Sequence, residues 1–205
     1  MRIMSGKEEK YEKLKKIKEE VVNFKESPFY ATRVKPVIGE GSYEAEVMLI
    51  GEAPGKNESL QGRPFCGVSG RVLDDLLKSV NLLREEIYIT NILKDRPPDN
   101  RDPRPEEIKL YVPFLDRQIE AIQPKIIVTL GRFSMNYIMN RYGLAEFIEP
   151  ISKVHGKSYG ANFDYGEVLI VPLYHPAVAV YNRNMTEELK KDFKMIKVLL
   201  DKRRT

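Results

Sequence analysis

Val47-Met48-Leu49-Ile50 is an unbroken apolar run that halts at Gly51 and gives way to Glu52-Ala53-Pro54-Gly55-Lys56-Asn57-Glu58. A continuous apolar run cut off by glycine reads as a strand buried on both faces, since a half-exposed strand would alternate apolar and polar positions. Ile87-Tyr88-Ile89-Thr90, Ile126-Ile127-Val128-Thr129-Leu130 and Val168-Leu169-Ile170-Val171 share the form. Helical spacing of apolar residues lies around and between them: Tyr11, Leu14, Ile17, Val21 and Phe24 within Lys7 to Phe24, then Val72 to Val80. Further helices are expected from Pro105, from about Arg132 and from about Thr186, the last with Leu189, Phe193, Ile196 and Leu200 on one side. Pro113 is expected to bend or break its helix. Strands alternating with helices imply a mainly parallel sheet covered on both faces, with ligands at the carboxyl ends of its strands.

Composition narrows the functional classes. A chain of 205 residues, 42% apolar and 31% charged, suits one folded domain with a sizeable core. The apolar runs are too short to cross a bilayer and the first residues lack a signal-peptide core, so a cytoplasmic protein is expected. One cysteine, Cys66, excludes an internal disulfide and an all-cysteine metal cluster, and two histidines leave little for a zinc site. Thirty-four basic against thirty acidic residues give a net charge of +4, which permits a polyanionic partner without requiring one. Abundant Lys and Glu with no Trp fits a thermophile's composition, or equally a lysine-biased genome.

Three segments leave a strand and at once become rich in Gly, Pro or polar residues: Gly51 to Gly70, Asn91 to Arg104, and Pro172 to Asn184. Their starts are expected to converge. The first is not a phosphate-binding P-loop, because its glycine spacing is one residue short and Asn57 stands where a magnesium-binding Ser or Thr belongs. A carboxylate at a strand end, Glu52, suits holding a polar group beside a ligand, or is simply an acidic loop residue. Phe65, between Pro64 and Cys66, alone reads more readily as core than as a platform, although a flat base needs a ring to stack on. Asn91 carries a donor and an acceptor that match the O4 and N3–H edge of uracil and mismatch cytosine; an isolated Asn there equally serves as a turn cap. His175, in Tyr174-His175-Pro176-Ala177, is either a loop-held donor or a structural histidine, and His155 near Gly156 and Gly160 reads as structural.

In order along the chain, Gly51-Glu52-Ala53-Pro54-Gly55, Gly62-Arg63-Pro64-Phe65, Ile89-Thr90-Asn91, Arg96-Pro97-Pro98 with Asn100-Arg101, Leu130-Gly131-Arg132 and His175-Pro176-Ala177 resemble the motifs of the family four uracil-DNA glycosylases. The resemblance spans about Ser27 to Asn182. It implies a three-layer α/β/α sandwich with a central, mainly parallel four-stranded sheet, preceded by a helix over residues 1–26 packed on the glycosylase-like domain of 27–205. The implied activity is removal of uracil from DNA by base flipping and hydrolysis of the N-glycosidic bond. Glu52, Asn91 and His175 are the implied catalytic set, with Ala53, Glu58, Phe65, Asn91 and His175 binding uracil; Glu58 would lie by C5, where it obstructs a thymine methyl. Val180 and Tyr181 are the local candidates for a wedge into the duplex, and Lys94, Arg96, Arg101 and Arg183 for phosphate contacts. The implied partner is uracil-containing DNA, single- or double-stranded, met by a monomer without a membrane; no replication-clamp motif is visible. Two other readings stay open: a relative that binds damaged bases with slow or no turnover, and a glycosylase for other deaminated bases such as hypoxanthine.

One departure stands out. The resemblance implies an iron-sulfur cluster on four cysteines, yet those positions hold Phe24, Ser27, Asp95 and Tyr111, so no cluster and no other metal is expected. In its place, the Phe24 and Tyr111 rings are expected to bury together, with Ser27 and Asp95 hydrogen-bonded.

Overall fold

A computed structural model describes residues 5–204. Its six strands are β1 (Glu40–Gly41), β2 (Val47–Gly51), β3 (Tyr88–Asn91), β4 (Ile126–Leu130), β5 (Tyr159–Phe163) and β6 (Gly166–Leu173). They form one sheet in the order β1-β3-β2-β4-β6-β5. The four expected runs make the parallel centre, Leu49 lying opposite both Ile89 and Val128. The sheet is wider than the expected four strands because an antiparallel strand is added at each edge. Neither edge carries an apolar run: β1 has two residues, and β5 buries only Ala161.

Helices cover both faces: α1 (Gly6–Val22), α2 (Lys56–Gln61), α3 (Val68–Ser79), α4 (Pro105–Ile122), α5 (Arg132–Arg141), α6 (Ile151–Val154), α7 (Ala177–Tyr181) and α8 (Met185–Arg204). Met48 and Ile50 point into one core with Leu14, Ile17 and Val21 of α1 and Leu115 and Ile119 of α4. Val47 and Leu49 point into the other with Leu73 and Leu77 of α3 and Phe193 and Ile196 of α8. Two apolar layers thus account for the lack of alternation in β2. Each fully buried α1 side chain is worth roughly 1.5–3 kcal/mol, which holds the helix against α4. That helix starts at a capping box between Ser5 and Glu8 and ends at Val22, two residues short of the expected Phe24.

Pro113 does not break α4, which continues through it to Ile122. The proline is exposed, so water can reach the carbonyl that loses its partner. No described helix is long and apolar enough to cross a membrane.

Candidate functional site

The loops leaving β2 and β3 stay zipped beyond the sheet, Ile92 N–H donating to Gly51 O and Leu93 N–H to Glu52 O, both at 3.0 Å. Parallel register places Gly51 opposite Asn91. Only hydrogen fits at Gly51: a Cβ there would overlap Asn91 Oδ1 and stand 2.8 Å from the Phe65 ring. Asn91 is 2% exposed, and its carboxamide has no hydrogen-bond partner among the described residues. The amide faces the open cavity rather than a protein partner, which leaves it free to pair with a ligand.

Phe65 reaches the same place through a strained backbone. Its φ of 48° lies in the left-handed region, rare for an aromatic residue, and its carbonyl is pressed so closely on Gly70 that no side chain fits there. The ring stacks on that of His175, centroids 5.4 Å apart at 28°. His175 follows β6 and is backed by Gly131, where a Cβ would stand 3.4 Å from the histidine's own. Its Nδ1 accepts the Ala177 N–H at 3.1 Å. The ring's proton therefore sits on Nε2, which has no acceptor among the described residues. Burial drives the imidazole pKa down to about 4, against a smaller upward pull from Glu58, so the ring is neutral at pH 7.

Glu58 is fixed by two main-chain donors, Cys66 N–H at 3.0 Å and Gly67 N–H at 2.8 Å, both to Oε1. Ala53, Gly55, Glu58, Phe65, Ser69, Asn91 and His175 line a cavity of about 150 Å³ at the carboxyl ends of the strands. Five expected base-binding residues are thus brought together; Gly55 and Ser69 join them without a sequence pattern that would have singled them out. Glu52 is not part of the lining. Its carboxyl is pushed up to about 7, first by burial and then by nearby Asp102, against the pull of Arg132. Asp102 and Arg132 are themselves ion-paired and exposed. Beyond the cavity, Val180 and Tyr181 end α7, and Tyr181 is 90% exposed, unusual for so large an apolar side chain.

The expected phosphate contacts divide. Lys94 is a correction: it is fully buried, its Nζ taken up by Thr90, Asn91 and Gln118, and it has no surface to offer a phosphate. Arg101 is tied by a fork to Glu107 at 2.8 and 2.5 Å, where it secures the start of α4. Arg96 bonds Asn100 Oδ1 at 2.7 Å, and Arg183 is exposed. His155 pairs with Asp192 at 2.9 Å, as befits a structural histidine.

Away from the cavity, the four expected cluster positions do converge. Phe24 meets Tyr111 edge-on at 5.5 Å. Ser27 Oγ donates to Asp95 Oδ2 at 3.1 Å and lies 2.5 Å from the Tyr111 hydroxyl, while Tyr111 and Arg33 also bond Asp95 Oδ2. These residues do not fit an iron-sulfur cluster: they offer no thiolate, their oxygens are bonded to one another, and Cys66 lies in the Phe65 loop. Among the described residues, no group of three or more His, Cys, Asp or Glu could hold a metal ion.

Residues 38–200 match the Uracil DNA glycosylase superfamily. The chain is 48% identical to a Type-4 uracil-DNA glycosylase of Sulfurisphaera tokodaii over 91% of its own length and 84% of the relative's. A Type-4 uracil-DNA glycosylase of Archaeoglobus fulgidus is 43% identical over 94% and 96%, and a Type-5 uracil-DNA glycosylase of Thermus thermophilus 30% identical over 69% and 71%.

Proposed function

This chain belongs to the uracil DNA glycosylase superfamily, and we propose that it removes uracil from DNA as a repair enzyme, flipping the nucleotide into the cavity and hydrolysing its N-glycosidic bond. The observation that carries the reading is the pair of unspent polar groups on one buried cavity: the Asn91 carboxamide and the Nε2–H of a neutral His175, beside the Phe65 ring. Phe65 stacks on the base. Asn91 Oδ1 accepts N3–H and Nδ2 donates to O4, a pairing that cytosine reverses. Glu58, held rigid by the Cys66 and Gly67 amides, guards the C5 side against a methyl group.

Cleavage of the C1′–N1 bond sends its electron pair to uracil and leaves an oxocarbenium-like sugar. His175 Nε2–H donates to O2, where charge accumulates, so its neutral form gives a donor without a proton transfer to balance. A water oxygen then bonds C1′. Glu52, beside the cavity rather than in it, is suited as a carboxylate to orient that water, take up its proton and offset the positive sugar. Tyr181 serves as the wedge that fills the vacated stack, with Arg96 and Arg183 as phosphate contacts. The loops are held without an iron-sulfur cluster, by the Ser27, Asp95, Tyr111 and Arg33 network.

An end-labelled oligonucleotide with a single uracil tests the activity. Alkali-sensitive cleavage at that base, with one free uracil per break, is expected. Retention of the DNA without product would make the protein a binder, and faster release of hypoxanthine than of uracil would reassign the substrate.

A further inference from the structure

Lys94 is among the largest fully buried side chains, and among the described residues no carboxylate pairs with it. Its Nζ donates to Gln118 Oε1 at 2.6 Å, to the Asn91 main-chain oxygen at 2.7 Å and to Thr90 Oγ1 at 2.8 Å. All three acceptors are neutral, and two are preset. Gln118 Nε2 is spent on Ile38 O at 2.9 Å and the Tyr88 hydroxyl at 3.1 Å, which turns Oε1 toward Lys94. The Thr90 hydroxyl gives its proton to Ile38 O at 2.7 Å in preference to Gln118 Oε1 at 3.4 Å, leaving a lone pair for Lys94. Three lone pairs therefore face one nitrogen, and only an ammonium, with three N–H bonds, satisfies them all. Burial works the other way, pulling the Lys94 pKa well down.

A leucine or methionine would avoid burying an amine but would leave three buried acceptors unpaired, so lysine is tied to all three. Of the three, the bond to the Asn91 main chain is the one that reaches the cavity. The peptide following Asn91 is held at both ends, its carbonyl by Lys94 and its N–H, that of Ile92, by Gly51 O at 3.0 Å. Clamping that plane fixes the backbone from which the unpaired carboxamide projects into the cavity. We propose that Lys94 is a positioning residue for base recognition, acting through the Asn91 main chain to hold the Asn91 carboxamide in register with the base edge. This rests on Asn91 reading the base.

Lys94→Met keeps the length of the side chain and removes its donors. Single-turnover excision of uracil is expected to fall on the order of 10- to 100-fold, as when a reacting partner is misplaced by a fraction of an ångström. Affinity for abasic product DNA should stay within about twofold, because Lys94 touches no nucleic acid. In an Asn91→Ala background the same change should cost less than about twofold, since the group it positions is gone. A merely structural lysine would lower the melting temperature and depress activity equally in both backgrounds. If Lys94→Met does not fold, Gln118→Leu, which removes one acceptor and keeps the lysine, is expected to slow excision by a smaller factor, about threefold or more, again only with Asn91 present. Wild-type excision by a folded Lys94→Met, or by Gln118→Leu where it is needed, overturns the inference, as does an equal loss with and without Asn91. Wild-type excision by Asn91→Ala would instead overturn the base-reading role itself.

Discussion

The base cavity and the site where Phe24, Ser27, Asp95 and Tyr111 meet are both buried, polar and built from distant parts of the chain, yet they treat hydrogen bonds in opposite ways. In the cavity the Asn91 carboxamide and His175 Nε2 have no hydrogen-bond partner among the described residues and stay open to the cavity. In the second site Ser27, Tyr111 and Arg33 all converge on Asp95 Oδ2, and only Asp95 Oδ1 and Arg33 Nε remain unsatisfied. Polar groups that face an open cavity without a protein partner are free to take a ligand, whereas groups bonded mainly to one another hold structure. The contrast separates a place for chemistry from a brace.

The sharpest break of that contrast is in the cavity. His175→Ala and Asn91→Ala should each lower single-turnover excision about 10²- to 10⁴-fold, with the melting temperature nearly unchanged for Asn91→Ala and modestly lowered for His175→Ala, which also loses the Ala177 N–H bond and the Phe65 stack. Next comes the brace: Asp95→Ala removes the carboxylate shared by Ser27, Tyr111 and Arg33, leaving the guanidinium only the Val21 and Val22 carbonyls, and should cost about 1.5–3 kcal/mol in denaturant unfolding, while excision per folded molecule persists. Tyr111→Phe removes one hydroxyl from the same network and should cost about 1 kcal/mol.

Glu52 gives an intermediate test through pH. Its working form is the carboxylate, so excision should fall as pH drops through about 7, and Glu52→Gln should lose that limb of the profile. The stability sign is opposite. A carboxyl raised to about 7 from its usual 4.5 favours the fold below the unfolded value, and that contribution disappears as pH climbs through 7. Smallest of all, Tyr181→Ala should slow excision from duplex several-fold, roughly the cost of an unfilled stack, and leave single-stranded DNA nearly unaffected.

The parallel centre of the sheet was legible because each strand packs against two apolar layers and its sequence therefore runs unbroken. The edges were not: Glu40-Gly41 and the half-exposed Tyr159–Phe163 bury too little to leave a pattern. At the cavity, motif order located Glu58, Phe65, Asn91 and His175, whereas Ser69 sits in a stretch of ordinary composition. Lys94 departs from its expected place for a physical reason. A lysine beside Asp95 and Arg96 in a proline-rich loop looks solvated, and nothing local shows that Gln118, 24 residues on, supplies an acceptor inside the core. Arg101 was similarly ambiguous, since its partner Glu107 belongs to the next helix.

The central claim, a uracil cavity held by a brace of hydroxyl, carboxylate and guanidinium groups, is tested most directly by single-turnover excision from a one-uracil oligonucleotide with protein stripped of iron by a chelator and checked as colourless. The account predicts stoichiometric release of uracil at the rate of the untreated protein and an unchanged melting temperature. Excision that vanishes on stripping and returns only with iron and sulfide would contradict it.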